Sequence, residues 1–115
     1  MDGRAAKADV FQAIADPTRR EMLRLLAARE LRIADLASRF PVSRTAIVKH
    51  LAVLEEAELV SGRRAGREKL YRLQPEPLAE LKDWLAYYEV FWTNKLSMLK
   101  ALVESEDPKN PNSPQ

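Results

Sequence analysis

Apolar residues recur at helical spacing along most of the chain, and the pattern is clearest between residues 43 and 57. There Ile47, Leu51 and Leu54 fall at positions i, i+4 and i+7, which lie on one face of an α-helix. Ser43 precedes them and is a favoured N-cap residue, because its hydroxyl can accept a hydrogen bond from a free N–H of the first turn. The segment is therefore predicted to be a helix that packs one face on a core.

The opposite face of this predicted helix has an unusual charge pattern. It contains short or basic residues and no acid before Glu55, whereas a face directed only at solvent usually mixes both signs of charge. Such a face suits the groove of a polyanion, although an ordinary amphipathic core helix also explains the segment when it is taken alone. The residues on this face are Arg44, Thr45, Val48, Lys49 and Ala52.

Similar periodicity predicts four more helices, and proline marks several of their boundaries. Asp16-Pro17 ends the first helix and starts the second, since proline disfavours helical geometry in the residue before it but suits the first helical position. Phe40-Pro41-Val42 separates the third helix from the helix that begins after Ser43, and so short a turn predicts a helix-turn-helix. The four helices are a short one containing Val10, Phe11 and Ile14 and segments of about 17–28, 32–39 and 77–104.

In a helix-turn-helix the second helix enters the major groove of DNA, and its N-terminal residues meet the base edges. Arg44 and Thr45 occupy those positions here. Two further arginines, Arg19 and Arg20, lie in the first turn of the second helix, where the helix dipole slightly disfavours cations. A phosphate contact would explain this placement, and a solvated surface charge is the other interpretation.

A basic β-hairpin is predicted directly after the Ser43 helix. Two short extended runs, 59–64 and 69–73, flank Ala65-Gly66-Arg67, and glycine supplies the positive φ that a tight hairpin turn requires. Residues 61–73 contain five basic residues and one acid, Glu68, a local net charge of +4. Basic residues on edge strands can serve only to prevent aggregation, but these are mostly arginines, whose planar guanidinium suits phosphate. The hairpin is therefore predicted to contact DNA phosphates or the minor groove through residues that include Arg63, Arg64 and Arg67.

The predicted C-terminal helix is long for so small a chain. Its residues would span ~42 Å, against a diameter of roughly 34 Å for a compact domain of this length. The helix carries two adjacent apolar rows, and the row that does not cover the core would be exposed unless a second chain covers it. We therefore expect a homodimer, while a small-ligand pocket formed by Trp84, Tyr88 and Trp92 is the alternative. The expected interface residues are Phe11, Trp84, Tyr87, Tyr88, Phe91, Trp92, Leu99 and Leu102.

Composition limits the remaining possibilities. The 115 residues suffice for one domain, expected over 8–104 between a flexible N-terminus, 1–7, and a disordered tail, 105–115, rich in Pro, Asn and Ser. The formal net charge is only +2, so anion binding has to depend on local clustering. The sequence has neither a recognisable secretory signal nor an apolar run of the ~20 residues that cross a bilayer. We therefore expect a soluble cytoplasmic protein without a membrane partner.

Residues for metal binding and catalysis are scarce. The chain has no cysteine and a single histidine, His50, which cannot assemble a typical transition-metal site. No glycine-rich phosphate loop and no nucleophile–base motif is recognised, so we expect neither a cofactor nor enzyme activity. His50 lies beside the basic helical face and is expected to contact a phosphate; a neutral ring packed at the helix edge is the alternative.

Together these motifs resemble the winged-helix core of the ArsR family of bacterial transcriptional repressors. The resemblance covers about residues 9–74 and rests on I-A-D-P-T-R-R-E-M-L-R-L-L, L-x-x-A-D-L-A, V-S-R-T-A-I-V-K-H-L-A-V-L-E-E-A-E-L-V and R-R-A-G-R-E-K-L-Y-R-L. It implies a mainly α fold with a small β-hairpin, a winged helix-turn-helix with a long C-terminal dimerisation helix. By motif position the DNA-reading helix would contribute Ser43, Arg44, Thr45, Val48, Lys49 and His50, and the wing tip Arg64, Gly66 and Arg67.

The chain departs from the family pattern in two places. Metal-sensing members carry a C-x-C pattern in the third helix, where this chain has Arg32 and Ala34, so the resemblance implies a metal-independent branch. Glu58 stands where the family usually has the glycine that ends the recognition helix. If Glu58 adopts the left-handed conformation, it costs about 1 kcal/mol; otherwise the helix ends differently.

We therefore expect a sequence-specific DNA-binding transcriptional regulator, a homodimeric repressor that binds a double-stranded DNA operator in its own or a neighbouring promoter. The alternative is a winged-helix protein–protein interaction module whose basic hairpin meets an acidic protein. The sequence identifies no operator, effector or regulated gene.

Overall fold

The computed structural model describes residues 8–106, which divide into two compact units, one that ends at Leu81 and one that begins at Lys82. The predicted flexible N-terminus, 1–7, and residues 107–115 of the predicted tail lie outside the described residues. The elements are α1 (Val10–Ala13), α2 (Pro17–Ala28), β1 (Leu31–Arg32), α3 (Ile33–Ala37), α4 (Arg44–Glu56), β2 (Val60–Ala65), β3 (Glu68–Leu73), α5 (Leu78–Ala86) and α6 (Glu89–Glu106).

The predicted fold class is confirmed. The first unit is a winged helix-turn-helix in which α3 and α4 are the two helices and the β2–β3 hairpin is the wing. The helices begin where the N-cap residues predict: Asp16 accepts from the N–H of Arg19 at 3.0 Å, and the Ser43 hydroxyl accepts from the N–H of Ala46 at 3.1 Å. Helix α3 is shorter than the predicted 32–39, because Arg32 is its N-cap and the N–H of Arg39 already donates to the carbonyl three residues back, that of Leu36.

The core of the first unit forms around the inner face of α4. Ile47, Leu51 and Leu54 are 0%, 1% and 0% exposed, as the periodicity predicts. They pack in one cluster with buried residues from the other helices and from the sheet. The remaining members of the cluster are Val10, Ala13, Met22, Leu23, Leu26, Leu31, Leu36, Ala57, Leu59, Val60 and Tyr71.

The sheet contains a third strand that the sequence analysis did not predict. Strand β1 is only two residues long and pairs antiparallel with β3, Leu31 opposite Tyr71 and Arg32 opposite Leu70, so the strand order is β1-β3-β2. In the wing, Ala65 pairs with Glu68 across a two-residue turn whose first residue, Gly66, has a φ of 69°. The left-handed φ explains the glycine at this position of the hairpin.

Helix α4 ends in a Schellman motif built without glycine. Glu58 has a φ of 61° and is the one non-glycine residue with positive φ in the part of the chain that the structure describes. The N–H of Leu59 donates to the carbonyl of Leu54 and that of Glu58 to the carbonyl of Glu55, both at 2.9 Å. Leu54 and Leu59 are fully buried and supply the hydrophobic contact of the motif. The left-handed turn is therefore retained with a residue that is strained there.

The C-terminal helical segment is interrupted once. The long C-terminal helix is present as the 18-residue α6, but the predicted continuity over 77–104 is wrong, because Tyr87 and Tyr88 separate α5 from α6. The N–H groups of Tyr87, Tyr88 and Phe91 donate to carbonyls three residues back, which tightens the chain locally. Helix α6 continues through residue 106, so residues 105 and 106 of the predicted tail are helical. Between residues 8 and 106, no helix combines the length and the apolar character that a membrane span needs.

The strain at Glu58 yields a test of stability. Replacing Glu58 by glycine or by alanine removes the same carboxylate, but only glycine adopts a positive φ without steric cost. We expect Glu58→Gly to unfold with a free energy about 1 kcal/mol higher than Glu58→Ala in urea denaturation. Equal free energies for the two variants would show that the left-handed turn stores no strain.

Candidate nucleic-acid interface

The outer face of α4 is exposed at its N-terminal end. Ser43, Arg44 and Thr45 are exposed, and so are Val48 and Lys49 one turn later. Because the inner row of α4 is buried, these side chains point away from the core of the first unit. The residues predicted to read DNA therefore form one continuous surface on the helix, apart from His50, which is half-buried.

A basic groove lies between this end of α4 and the wing. Its volume is about 410 Å³, and its lining includes Arg44 from α4 and Arg64, Arg67 and Lys69 from the wing. Ile33 and Ala34 of α3 form part of the wall, and Glu68 contributes the single acidic residue of the lining. The fold thus brings cationic side chains from separate elements to one concave surface, which is the arrangement that a phosphate backbone requires.

Strand alternation sorts the basic residues of the wing onto two faces. Arg64 pairs with Lys69 and Gly62 with the buried Tyr71, so these residues share the inner face of the sheet. A Cβ on Gly62 would lie 2.7 Å from the Lys69 side chain, and Nζ of Lys69 lies 5.5 Å from the centre of the Tyr71 ring. Glycine at position 62 therefore leaves room for Lys69 to cross over Tyr71.

Arg63 lies on the outer face of the sheet. Its partner in the register is Leu70, and its guanidinium donates to Oε1 of Glu30 at 2.9 Å. The structure therefore does not bring Arg63 into the groove with Arg64 and Arg67, although sequence analysis grouped the three together. Strand alternation was the signal that could have separated them.

His50 belongs to a polar cluster that ties α4 to the segment between α1 and α2. Its Nδ1 lies 3.3 Å from Nη1 of Arg19 and 4.0 Å from Oδ2 of Asp16. A guanidinium can only donate, so when the ring is neutral Nδ1 accepts from Arg19 and the ring proton lies on Nε2. This geometry corresponds to the packed alternative for His50; a contact of Nε2–H with phosphate stays a prediction.

The two arginines at the start of α2 have a role that sequence analysis missed. Arg19 donates from Nε to the carbonyl of Ala13 at 2.7 Å and from Nη2 to that of Gln12 at 3.1 Å. Arg20 donates from Nη1 to the carbonyl of Ile14 at 2.7 Å. Both side chains thus satisfy carbonyls at the end of α1. The predicted shortness of the first helix was the available signal, because a short helix leaves most of its carbonyls without helical partners.

The second unit presents a large apolar surface. Every side chain from residue 82 to residue 103 is exposed, including Tyr87 at 79% and Phe91 at 63%. Trp84 and Tyr88 meet edge to face with ring centres 5.2 Å apart, and Phe91 follows at 6.5 Å from Tyr88. The predicted interface residues of α5 and α6 therefore lie on exposed helices, whereas Phe11 of α1 is partly packed against the core of the first unit.

Comparison with known proteins agrees with this architecture. The sequence profile of the bacterial regulatory protein, arsR family, matches residues 16–61. The HTH-type transcriptional regulator Rv2034 of Mycobacterium tuberculosis is 43% identical over 96 residues, which cover 84% of this chain and 87% of that protein. The transcriptional repressor SdpR of Bacillus subtilis is 38% identical over 77 residues, 67% of this chain and 86% of that protein. The chain belongs to the ArsR family.

A solved structure supports the same assignment. The ArsR-like transcriptional regulator from Rhodococcus sp. RHA1 is similar with a TM-score of 0.65 and 37% identity, covering 85% of this chain and 90% of that one. The matched profile includes α2, α3 and α4, the last of which carries the exposed outer face. This ArsR-family protein is therefore a DNA-binding transcriptional regulator.

The positions of the family's metal-sensing C-x-C pattern have other contacts in this ArsR-family chain. Arg32 lies in β1 and pairs through its guanidinium with Asp35 and Glu68, and Ala34 lines the basic groove. The hydrogen bonds and charge of Arg32 hold the pKa of Asp35 below its usual range. Within residues 8–106, no group of three or more His, Cys, Asp or Glu side chains is arranged to hold a metal ion.

The N-cap of α2 yields a pH-dependent prediction. The N–H of Arg19 and, more weakly, the charges of His50 and Arg19 lower the pKa of Asp16, although partial burial raises it. The folded state therefore binds this proton less tightly than the unfolded state, and the stabilisation is present at neutral pH and lost as the pH falls below about 4. We expect Asp16→Ala to lower the free energy of unfolding by about 1 kcal/mol near neutral pH.

Asp16→Asn is the matched control, because asparagine keeps an N-cap acceptor that does not titrate. Urea denaturation gives the free energy of unfolding of each protein. The difference in this free energy between wild type and Asp16→Ala should shrink from about pH 7 to about pH 3, while the difference between Asp16→Asn and Asp16→Ala stays constant. If the difference between wild type and Asp16→Ala does not change with pH, the ionised Asp16 carboxylate does not stabilise the fold.

Proposed function

We propose that this ArsR-family protein is a cytoplasmic homodimeric repressor, and not an enzyme, that occupies a double-stranded DNA operator in its own or a neighbouring promoter. The observation that carries the proposal is the basic groove, in which Arg44 of α4 meets Arg64, Arg67 and Lys69 of the wing. Solubility alone does not explain why cationic side chains from separate elements lie together on one concave surface. A duplex placed there would contact α4 with its major groove and the wing with its backbone.

The reading residues follow from their positions on α4. Arg44 and Thr45 occupy the first turn, where a recognition helix meets base edges, and Val48 offers an apolar contact for a thymine methyl group. Lys49 and the Nε2–H of His50 lie farther along and would bind phosphate oxygens. Ser43 contributes through its N-cap, which holds the first turn of α4 in place.

The homodimer is proposed on the exposed apolar surface of the second unit. So many exposed aromatic and aliphatic side chains on α5 and α6 are typical of an interface, and a second copy is the commonest partner. A two-fold dimer would present two recognition helices to half-sites about one DNA turn apart, roughly 34 Å. Repression would follow from occupation of the promoter, and release would require an effector that favours another state.

A protein-interaction module remains the competing function, with the basic groove facing an acidic protein. The two functions differ in the response to salt. A dimer that neutralises six to ten phosphates should lose roughly 10³- to 10⁵-fold in affinity between 50 and 200 mM salt on duplex DNA. Binding of the DNA upstream of its own gene, measured by gel shift, tests the function directly.

The groove predicts which arginines set this salt dependence. Arg64→Ala plus Arg67→Ala should reduce the slope of log affinity against log salt by about 2 per protomer, or roughly 4 for the dimer, since each lost phosphate contact removes roughly 0.9. Fluorescence anisotropy with a labelled duplex at graded salt measures the slope. An unchanged slope would remove the wing from the DNA footprint.

The matched control is Arg63→Ala plus Arg72→Ala. These residues are basic like the first pair and belong to the same hairpin, but they lie on the outer face, paired with Glu30 and Ser61. The control should leave the slope nearly unchanged. An equal reduction for both pairs would mean that the whole hairpin, and not the groove, binds phosphate.

The apolar surface of α6 predicts a variant that does not dimerise. Trp92→Glu places a charge in the proposed interface, where burial of an unpaired carboxylate is costly. We expect a monomer in analytical ultracentrifugation and weak binding to operator DNA. Ser97→Glu, which adds a charge on the face of the same helix opposite the apolar rows, should remain dimeric; an intact Trp92→Glu dimer would contradict the interface.

A further inference from the structure

Arg32 links the start of α3 to the tip of the wing. Its Nη1 donates to Oε2 of Glu68 at 3.2 Å, while Nε and Nη2 donate to the carboxylate of Asp35 at 3.2 and 3.3 Å. The backbone N–H of Arg32 also donates to Asp35 at 3.0 Å. Because Asp35 lies in α3, it orients the guanidinium so that the remaining nitrogen reaches the wing.

Glu68 is the acidic residue of the wing that lies nearest to the proposed DNA site. It is the one acid among residues 61–73, its neighbours in the chain are Arg67 and Lys69, and it belongs to the lining of the basic groove. Alternation along β3 directs its side chain to the outer face, together with Leu70 and the paired Arg32. Glu68 thus lines the groove, while its carboxylate is paired with Arg32 on the face of β3 opposite to Lys69.

We propose that Arg32 is a positioning residue for DNA binding, which holds the Glu68 carboxylate on the outer face and so keeps a negative charge out of the phosphate site. Without Arg32, Glu68 is free to turn toward the groove, where it repels phosphate and competes for Arg67 and Arg44. Arg32 itself is not required to contact DNA. The inference rests on the proposed DNA-binding function of the groove.

Substitutions at the two ends of the ion pair distinguish two roles for Arg32: restraint of the Glu68 carboxylate, or tethering of the wing to α3. If the pair only tethers the wing to α3, Arg32→Gln and Glu68→Gln break it equally and both variants bind DNA more weakly. If Arg32 restrains a harmful charge, Arg32→Gln weakens binding, Glu68→Gln does not, and the double variant recovers. The sign of the Glu68→Gln effect therefore separates the two roles.

The experiment is a double-mutant cycle on the full chain. Affinities are measured by anisotropy for a random-sequence duplex and for the DNA upstream of the gene, at about 0.1 M salt, where charges interact over roughly 10 Å. We expect Arg32→Gln to bind both duplexes ~two- to fivefold more weakly, the range for exposed charge pairs. Glu68→Gln should bind at least as tightly as wild type, and the double variant within about twofold of wild type.

Arg63→Gln is the matched control. It also breaks an ion pair between the wing and the segment that leads into α3, and it also removes one positive charge, but the freed partner, Glu30, does not line the groove. We expect the affinity of Arg63→Gln to change by less than about twofold. Circular dichroism and thermal unfolding establish that all variants are folded to the same extent.

Each outcome decides the inference. Recovery in the double variant supports it, whereas a double variant as weak as Arg32→Gln overturns it and assigns Arg32 to tethering or to direct phosphate contact. An Arg63→Gln loss equal to that of Arg32→Gln would also overturn it. If the wild-type protein binds neither duplex at low salt, both the proposed DNA-binding function and this inference fail. If the wild type binds but the double variant does not recover, only the inference fails.

Discussion

The burial of one row of α4 is the constraint on which the DNA-binding unit depends. Ile47, Leu51 and Leu54 are held in the core, so the helix cannot rotate about its axis without exposing them. The residues half a turn away are thereby directed outward as a set. Truncation of any of the three would cost about 2–5 kcal/mol and would loosen the orientation of the outer face of α4 as well as the core.

A second constraint is the position of each basic side chain. The chain has a net charge of only +2, and the proposed function depends on where its arginines are placed. Strand pairing directs Arg64 and Lys69 inward to the groove and Arg63 outward to Glu30, while α2 uses Arg19 on backbone carbonyls. Some arginines are therefore structural and others are available for a polyanion, although their chemistry is identical.

The features that sequence analysis predicted correctly are those with local causes. Helical periodicity, N-caps at Asp16 and Ser43 and the glycine of the wing turn depend on residues within a few positions of each other. The features that it missed depend on distant partners. Strand β1 is too short for a periodic pattern and forms only because β3 lies beside it, and the break at Tyr87 has no proline or glycine to announce it.

The sequence by itself determined that α4 has one apolar and one basic face, that a basic hairpin follows it, and that the 115 residues include no cysteine, because these are properties of residue type and spacing. Only the tertiary structure decided which cations meet in one groove, that His50 packs against Arg19, and that Arg32 pairs with Glu68. The physical reason is that ion pairs join side chains far apart in the chain, whose distance is set by packing and strand register.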